Sequence, residues 1–465
     1  MVFSSLTFLF AYLPIVLIVY YAVPFRWRNA VLFVVSLLFY GWGEPVYVFL
    51  MIFSILMNWV SGIRIQYWLK KDHKHAKKVL VLCIVLNLAM LGFFKYWDFF
   101  ANTFAAIGLN FMPVLNLSLP IGISFYTFQA MSYPIDLYRG DTKVQRSALK
   151  FGTYVTMFPQ LIAGPIVRYR DVAEQLDHRH SSLDQFSQGI DRFMIGLSKK
   201  VLLANSAGQV WESISALPYA QTSVLSAWIG IACYTFQIYF DFSGYSDMAI
   251  GLGKMLGFEF LENFNYPYIA KSITDFWRRW HMSLSYWFRD YVYIPLGGNR
   301  KGLARQLLNI MIVWLLTGFW HGASWNFVLW GVFYGVVLIL EKLFMLKVLK
   351  KVPDWLCHIY TMVIVMVAWA LFANTDISKA LAYIGMMFGH AASFANAASM
   401  YYLRDNLVLI LICIIACTPV AKTRLNVFRK DSFAWSRPVL VLLMLLICTA
   451  FIVDGTYNPF LYFRF

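Results

Sequence analysis

Charged side chains are scarce in this sequence of 465 residues. They make up 13% of the chain, whereas 60% of the residues are hydrophobic and the mean hydropathy is +0.62. Soluble domains carry roughly 25% charged and 45–50% apolar residues, so the composition excludes an ordinary soluble protein. No polar stretch exceeds roughly 50 residues, the lower size limit of a separate soluble domain. We therefore predict a single integral-membrane domain over residues 1–465.

The chain also lacks the short motifs of several enzyme classes. It has no GxxxxGK[ST] and no well-placed GxGxxG, so nothing in it supports ATP hydrolysis or dinucleotide binding. Nearly all of the six cysteines lie in apolar runs without CxxC spacing, as expected of buried thiols rather than disulfides or a metal site. The histidines are dispersed and lack a suitable carboxylate spacing, so we predict no metal ion.

Acidic residues are few relative to basic ones, and the net charge is +16. In a membrane protein, Lys and Arg gather in cytoplasmic loops and face anionic lipid. We therefore expect membrane lipids, and no nucleic acid, as partners. By the same bias, the basic segments 24–29, 70–78 and 422–437 are predicted to be cytoplasmic, which puts the C-terminus on the extracytoplasmic side.

Long apolar runs occur throughout the chain, and a spanning helix needs about 20 such residues. The predicted spans are 3–23, 31–42, 46–62, 79–97, 120–137, 148–167, 187–205, 223–242, 307–320, 325–346, 357–373, 405–421 and 438–454. The first lacks the basic start and cleavage site of a signal peptide, so we expect it to be retained. Gly and Pro interrupt others, and broken helices persist at membrane depth only beside other protein or water. The pattern predicts a compact helical bundle around an internal cavity.

The segment LLTGFWHGASWNF, residues 315–327, contains the strongest candidate for chemistry. Its His321 follows an apolar run, and an ionisable residue at membrane depth is costly and therefore a functional candidate. Histidine moves protons near neutral pH, although a neutral ring bonded to a backbone carbonyl is an equally open interpretation. His281 is either an interfacial residue directed towards headgroups or a second group of the same site. Asp241 and Asp247 are either orienting groups or helix caps.

A basic, aromatic stretch at 254–306 suits a phosphate-bearing cofactor. Its mixed pattern is typical of interfacial or re-entrant helices, and positive side chains bind phosphate through charge-assisted hydrogen bonds. The predicted cofactor-binding residues, within this stretch and outside it, are Lys199, Lys200, Trp277, Arg278, Arg279 and Asn326. For most of the basic members, ordinary charge at the cytoplasmic membrane edge stays an open alternative.

Four segments resemble the membrane-bound O-acyltransferase family. They are FPQLIAGPIVRY, YFDFSGYSDMAIGLGKMLGF, NFNYPYIAKSITDFWRRWHMSLSYWFRDYVYIPLGGNR and GFWHGASWNFVLWG, within the core 158–335. The chain is most similar to the bacterial branch that O-acetylates exported polysaccharides such as alginate and peptidoglycan. The resemblance implies an all-α polytopic membrane protein with about 11–13 transmembrane or re-entrant helices around a central tunnel. It also implies His321 as the catalytic histidine and His281 as the second histidine.

The C-terminal tail, residues 456–465, resembles a pattern F-x-Y-x-x-F found in the same branch. The pattern falls here on Phe460, Tyr462 and Phe465, and the tyrosine of such tails is implicated as an acyl relay. The resemblance thus implies that acetyl-CoA in the cytoplasm gives its acetyl group, by way of His321 and Tyr462, to an extracytoplasmic polysaccharide. It further implies an esterase-like partner of the SGNH type outside a bacterial cytoplasmic (inner) membrane.

Two other classes of function stay open at this point. A transporter or flippase for polysaccharide or lipid suits broken helices around a cavity equally well, although the chain lacks the internal repeats of many transporters. A structural scaffold for a glycan synthase is the third interpretation. Consumption of a thioester distinguishes the enzyme from both.

Overall fold

The computed structural model is helical and divides into two compact units. It describes residues 1–162, 164–420, 436–455, 457–459 and 461. The first unit comprises Met1–Phe193 and Tyr245–Leu261, and the second comprises Met194–Gly244 and Glu262–Phe465. Within the described ranges, the only extended pairing is a single bridge between Ser223 and Ser393. The predicted all-α class is confirmed.

Among its described residues, the first unit contains nine complete α-helices, part of a tenth, and the end of a longer helix of the second unit. The ten are α1 (Leu13–Ala22), α2 (Phe25–Gly43), α3 (Tyr47–Leu69), α4 (His73–Leu91), α5 (Trp97–Ala106), α6 (Ile123–Arg139), α7 (Ala148–Thr156), α8 (Phe158–Leu161), α9 (Tyr169–Asp177) and α10 (Leu183–Ser198), which continues into the second unit. Single π-helical stretches occur at Phe8–Tyr12 and Gly92–Tyr96. Helix α6 is buried along nearly its whole length and lies between two left-handed glycines, Gly122 (φ 72°) and Gly140 (φ 83°). Glycine adopts that conformation without a Cβ clash, so the two positions set the limits of the helix.

Two predicted spans of the first unit have wrong boundaries. Residues 148–167 are not one span, because the chain leaves helical geometry at Met157 (φ −45°, ψ 109°) between α7 and α8. Pro159 lies in the first turn of α8, the part of a helix where a residue without an N–H is tolerated. The span 31–42 is too short, because α2 begins at Phe25 and incorporates the basic residues that the sequence assigns to a loop.

The second unit contains the remaining described helices. They are α11 (Asn205–Ser215), α12 (Val224–Met255), which continues into the first unit, α13 (Ile273–Arg279), α14 (Met282–Phe288), α15 (Leu303–His321), α16 (Trp325–Leu340), α17 (Leu346–Leu349), α18 (Asp354–Ala373), α19 (Ile377–Met387), α20 (Ala397–Ala416) and α21 (Ser436–Asp454). The π-helical stretches here are Lys199–Ala204, Arg289–Tyr293 and Glu341–Met345. Helix α19 is not among the predicted spans, because it is short; its cap, Asp376, accepts a hydrogen bond from the backbone N–H of Ser378 at 2.7 Å.

Six stretches of helix are long and apolar enough to cross a membrane in the described part of the chain. They are Tyr47–Leu69, His73–Ala106, Leu303–His321, Asp354–Ala373, Ala397–Ala416 and Ser436–Asp454. The other helices are shorter or more polar. The central tunnel stays a prediction, and the basic loop at 422–437 lies almost wholly outside the described residues.

A buried carboxylate fixes the start of α13, the helix that carries Trp277. Glu341 is fully buried and accepts hydrogen bonds from the backbone N–H groups of Ile273 (2.7 Å) and Thr274 (2.8 Å). The hydroxyls of Thr274 (2.6 Å) and Tyr360 (3.3 Å) also donate to it. A carboxylate at a helix N-terminus satisfies N–H groups that have no partner within the helix and complements the helix dipole.

Helices α15 and α16 pack backbone against backbone. A Cβ added to Gly318 would lie 2.4 Å from the carbonyl oxygen of Phe327, and one added to Gly331 would lie 2.4 Å from that of Trp314. Neither position accepts a side chain without movement of a main chain, so the two glycines set the separation of the helices. Their close approach holds His321, the last residue of α15, against Trp330 of α16.

Candidate functional site

Asn263 anchors His281 at the start of α14. His281 has a left-handed backbone (φ 45°, ψ 53°) and is almost fully buried. Its Nδ1 lies 3.1 Å from Oδ1 of Asn263, which also accepts hydrogen bonds from the backbone N–H (3.2 Å) and the hydroxyl (2.9 Å) of Ser283. The backbone N–H of Met282 donates to the carbonyl of Asn263 at 2.9 Å. One asparagine thus holds both the main chain and the ring, which supports a conformation that is uncommon outside glycine.

The same contacts assign the tautomer of His281. A backbone N–H only donates, so the atom of Asn263 that receives it from Ser283 is the amide oxygen and acts as an acceptor. Nδ1 of His281 therefore carries the proton, and the lone pair lies on Nε2. Burial lowers the pKa of His281 well below its ordinary value, and the neighbouring His321 lowers it further. The ring, which lies outside the six apolar stretches, is neutral at pH 7.

One tryptophan links the two predicted catalytic histidines within the second unit. The ring of Trp320 lies 5.8 Å from that of His281 and 5.0 Å from that of His321, measured between centroids. His321 is buried, and Trp330 (5.0 Å) and Phe372 (5.4 Å) meet its ring edge to face. The structure brings the two histidines into one buried aromatic site.

A cluster of four aromatic rings adjoins the histidines: Trp277, Trp314, Trp330 and Tyr334. Each ring lies within 6.0 Å of the other three, and the closest pair is Trp277 and Trp314 at 4.5 Å. Among the described residues, no acceptor meets the indole N–H of Trp277, that of Trp330 or the hydroxyl of Tyr334. A buried donor without a partner costs about 1–3 kcal/mol. The cluster therefore offers donors to the oxygen atoms of a bound molecule.

A cavity of about 210 Å³ opens beside His281. Trp277 and Trp314 contribute aromatic walls, and Ser285, Tyr293 and Thr317 contribute polar groups. Arg289, which is paired with Asp290 at 2.7 Å, is the cationic member of the lining. A mostly apolar space with a few polar groups and a histidine suits a small organic substrate.

The predicted cofactor-binding residues fall into separate environments. Trp277 lies at the cavity. Arg278 is exposed, and Arg279 pairs with Asp275 at 3.0 Å. Lys199 lies 5.9 Å from the ring centroid of Tyr239. The remaining two are buried: Nδ2 of Asn326 lies 3.4 Å from the carbonyl oxygen of Leu371, and Lys200 pairs with Asp241 at 2.8 Å.

The structure describes only part of the C-terminal tail, for which the sequence predicts an acyl relay at Tyr462. Residues 457–459 and 461 are described and lie against the second unit, whereas Phe460, Tyr462 and Phe465 lie outside the described residues. Asp241 lies well inside α12, where it pairs with Lys200, and so does not cap a helix; Asp247, also inside α12, pairs with Arg192 at 2.6 Å.

Asn263 and the aromatic cluster are the site residues that sequence reasoning misses. Asn263 stands 18 positions before its ring partner, so no local spacing links the two. Trp330 and Tyr334 share a helix face at i, i+4, a pattern that ordinary core packing also produces. Their missing hydrogen-bond partners become visible only in the folded chain.

Comparison with known proteins gives one family and a consistent set of relatives. The membrane-bound O-acyltransferase family matches residues 142–375. The chain is 40% identical, over an alignment 488 positions long that includes gaps, to a probable alginate O-acetylase of Pseudomonas putida, with 100% of both chains covered. It is 44% identical over 392 residues to a probable alginate O-acetylase of Azotobacter vinelandii, which covers 83% of this chain and 78% of the relative. It is 31% identical over 517 residues to the peptidoglycan O-acetyltransferase of Helicobacter pylori, covering 100% and 98%.

Proposed function

The chain belongs to the membrane-bound O-acyltransferase family, and from that premise we propose that it moves an acetyl group from cytoplasmic acetyl-CoA to an extracytoplasmic polysaccharide of the alginate or peptidoglycan type. The protein is a multi-pass membrane O-acyltransferase, and this argues against the transporter and scaffold interpretations. The alginate and peptidoglycan acetyltransferases among its relatives support acetyl as the group and a polysaccharide as the acceptor.

The observation that carries the proposal is the pair of buried histidines joined by Trp320. An ionisable side chain buried in a membrane protein is costly and is a functional candidate by default, and two of them lie in this one aromatic site. They suit a reaction that takes a proton from one oxygen and returns it to a leaving group. Near neutral pH, a positioned histidine contributes about 10²–10⁴-fold to such a step.

In the first proposed step, His321 takes the proton of the Tyr462 hydroxyl while the phenolate oxygen attacks the thioester carbonyl carbon. The new bond is a C–O ester bond, and the C–S bond to coenzyme A breaks. The departing thiolate receives the proton from His321 and leaves as the free thiol, so the base is regenerated. The indole N–H of Trp277, which no described acceptor meets, is suited to hold the carbonyl oxygen as charge develops on it.

In the second proposed step, a hydroxyl of an extracytoplasmic partner of the SGNH esterase type attacks the acetyl carbonyl carbon of the Tyr462 ester. A new C–O ester bond forms on the partner, the C–O bond to the phenol breaks, and the proton of the attacking hydroxyl passes to the phenolate. A sugar hydroxyl then attacks the acetyl ester of the partner in the same way and restores the partner's hydroxyl. Such a relay keeps the bulky, charged coenzyme in the cytoplasm while only acetyl crosses the inner membrane.

Donor binding is proposed for the basic residues that stay accessible or only partly buried. Lys199, Arg278 and Arg279 are candidates for the phosphates of coenzyme A, and Asn326 and Trp277 for the buried part of the donor. His281 orients the substrate with its Nε2 lone pair. Lys200 is buried in an ion pair with Asp241, which argues against a role in binding coenzyme A.

The test is turnover of acetyl-CoA by the purified full-length protein in detergent, with release of free coenzyme A as the readout. We expect His321→Ala to reduce that release about 10²–10⁴-fold. The matched control is His390→Ala, because His390 is exposed and its backbone makes two hydrogen bonds that the substitution keeps: the carbonyl accepts from the hydroxyl of Tyr219, and the N–H donates to the carbonyl of Gly385. Undiminished thioester consumption by His321→Ala would show that His321 is not the general base.

A further inference from the structure

The described part of the C-terminal tail lies on α11, α12 and the π-helical turn that precedes α11, all in the second unit. Four hydrogen bonds involve its described residues one by one. Nε2 of Gln237 donates to the hydroxyl of Tyr457 (3.1 Å), and Nδ2 of Asn205 donates to Oδ1 of Asn458 (3.3 Å). Nζ of Lys200 donates to the carbonyl of Pro459, and the N–H of Leu461 donates to Oδ2 of Asp241 (2.9 Å). Four successive described tail residues are thus each held by the body of the second unit. The side chain of Leu461 is buried as well.

Lys200 and Asp241 form a buried ion pair at the centre of these contacts. The two side chains are 4% and 3% exposed, and Nζ lies 2.8 Å from Oδ1. Burial of two charges is repaid only when their remaining hydrogen-bonding positions are filled. Asn205 fills one position on Lys200 at 2.9 Å. The tail fills another on Lys200 and one on Asp241.

The tail completes the pair with backbone groups of opposite polarity. The carbonyl of Pro459 faces the ammonium group, and the N–H of Leu461, two residues later, faces the carboxylate. Because a main chain supplies both an acceptor and a donor, such a segment matches an ion pair in one direction and register. Charge-assisted hydrogen bonds of this kind are roughly twice as strong as neutral ones.

The shape of α11 also makes room for the tail. A Cβ added to Gly208 would lie 2.4 Å from Nε2 of Gln237 and 2.8 Å from the hydroxyl of Tyr457. Any larger residue at this position would displace the bond between those two groups. The site therefore has a steric element in addition to its charges.

We propose that the Lys200–Asp241 ion pair is the binding site of the C-terminal tail, and that it positions Tyr462 for acyl transfer. Leu461, which Asp241 holds, directly precedes Tyr462 in the chain. The positioning role rests on the proposed function, whereas the binding site stands on the contacts alone. Lys200 and Asp241 are positioning residues, because they act through the tail.

The test is a cross-link between the tail and α11 in the full-length protein. Asn205→Cys combined with Asn458→Cys replaces a pair of side chains that touch at their ends. Such a contact leaves the Cβ atoms farther apart than the ~3.8 Å of a disulfide, so a short reagent with two thiol-reactive groups is expected to join the two cysteines. The six native cysteines are buried, which keeps the background low, and mass spectrometry identifies the joined peptides. Asn205→Cys alone is the control for non-specific coupling.

Leu461→Pro then removes the N–H that donates to Asp241 and leaves the body of the protein unchanged. We expect the cross-linked fraction to fall about tenfold, the loss expected for a hydrogen bond to a charged group. Leu461→Ala, which keeps the N–H, is the matched control and retains most of the cross-link. An equal yield from Leu461→Pro and Leu461→Ala, or no cross-link in the parent pair, overturns the binding site.

A second variant changes the ion pair itself. Lys200→Met with Asp241→Leu exchanges it for an apolar pair, a replacement that folded proteins often accept, and it should lose the cross-link. Arg192→Met with Asp247→Leu alters another ion pair, of 2.6 Å, and should retain it. Loss of the cross-link with unchanged acetyl transfer would uphold the binding site and overturn the relay. An unchanged cross-link in the Lys200→Met, Asp241→Leu variant would overturn the binding site, and loss of transfer in Tyr462→Phe would still uphold the relay.

Discussion

The amide oxygen of Asn263 lies 3.1 Å from Nδ1 of His281 and accepts two further hydrogen bonds from Ser283. The arrangement resembles the way that hydrogen-bonded partners hold the second nitrogen of metal-bound histidines, where they set the tautomer and the orientation of the ring. Asn263 therefore decides which nitrogen of His281 faces the substrate.

Replacement of Asn263 should lower the rate of transfer more than it weakens substrate binding. We expect Asn263→Ala to reduce kcat about 10–100-fold, the usual effect of losing such a partner, with KM changed far less. Asn263→Asp keeps an acceptor for the ring and should retain more activity. The control is Asn265→Ala, because Asn265 is exposed two positions away. Steady-state kinetics with acetyl-CoA measure both constants; an equal loss in kcat for the alanine and aspartate variants would contradict the assignment.

Tyr462→Phe removes one hydroxyl from the proposed relay. We expect the variant to fold normally and to lose acetyl transfer to the polysaccharide, because no ester forms on a phenyl ring. Mass spectrometry of the C-terminal peptide after incubation with acetyl-CoA checks for the acetylated tyrosine. Tyr401→Phe, at an exposed tyrosine of α20, is the control. Normal transfer by Tyr462→Phe would mean that the acetyl group passes directly from the His321 site to the acceptor.

Glu341→Ala should destabilise the protein rather than change its chemistry. The substitution leaves the buried N–H groups of Ile273 and Thr274 without their acceptor, at a cost of about 1–3 kcal/mol for each group. Thermal unfolding in detergent is the measurement. Asp354→Ala breaks an exposed ion pair with Lys271 and should change the midpoint little. Equal midpoints for the two variants would show that the buried carboxylate is dispensable.

Two glycines of α16 should respond very differently to alanine. At Gly331 the added Cβ would meet the carbonyl oxygen of Trp314 at 2.4 Å, so Gly331→Ala should push α15 and α16 apart and sharply lower the yield of folded protein. At Gly335 the nearest atom is the sulfur of Met311 at 2.9 Å, on a flexible side chain that moves aside. Gly335→Ala should therefore express nearly as the parent does. Monodispersity in size-exclusion chromatography compares them, and similar profiles would contradict backbone contact.

The sequence predicts a feature well when the residues of a single helix are enough to indicate it. Apolar runs predict the helical class, and His321 stands out because a histidine ending an apolar helix is costly. Boundaries fail where one residue of an apolar run leaves helical geometry, as Met157 does between α7 and α8. They also fail where charged residues belong to a helix, as Arg26 and Arg28 do in α2.

Pairings between distant residues are beyond such reasoning. Lys200 and Asp241 are both visible in the sequence, one as a possible phosphate ligand and the other as a possible cap. Their ion pair depends on how the π-helical turn before α11 packs against α12. Glu341 likewise carries no local signal in the sequence, and its role follows only from its contacts with α13. Periodicity reports which face of an element is apolar, but it does not report which polar groups meet across the core.

The contact between the tail and Lys200 also bears on inhibitor design. A ligand joined to its own binding site by a short linker has an effective concentration in the millimolar range. A compound directed at Lys200 and Asp241 must therefore compete with the tail of the same chain, whose effective concentration does not fall when the protein is diluted. Screening against protein shortened before Tyr457 would remove that competitor and reveal weak binders that the intact chain conceals.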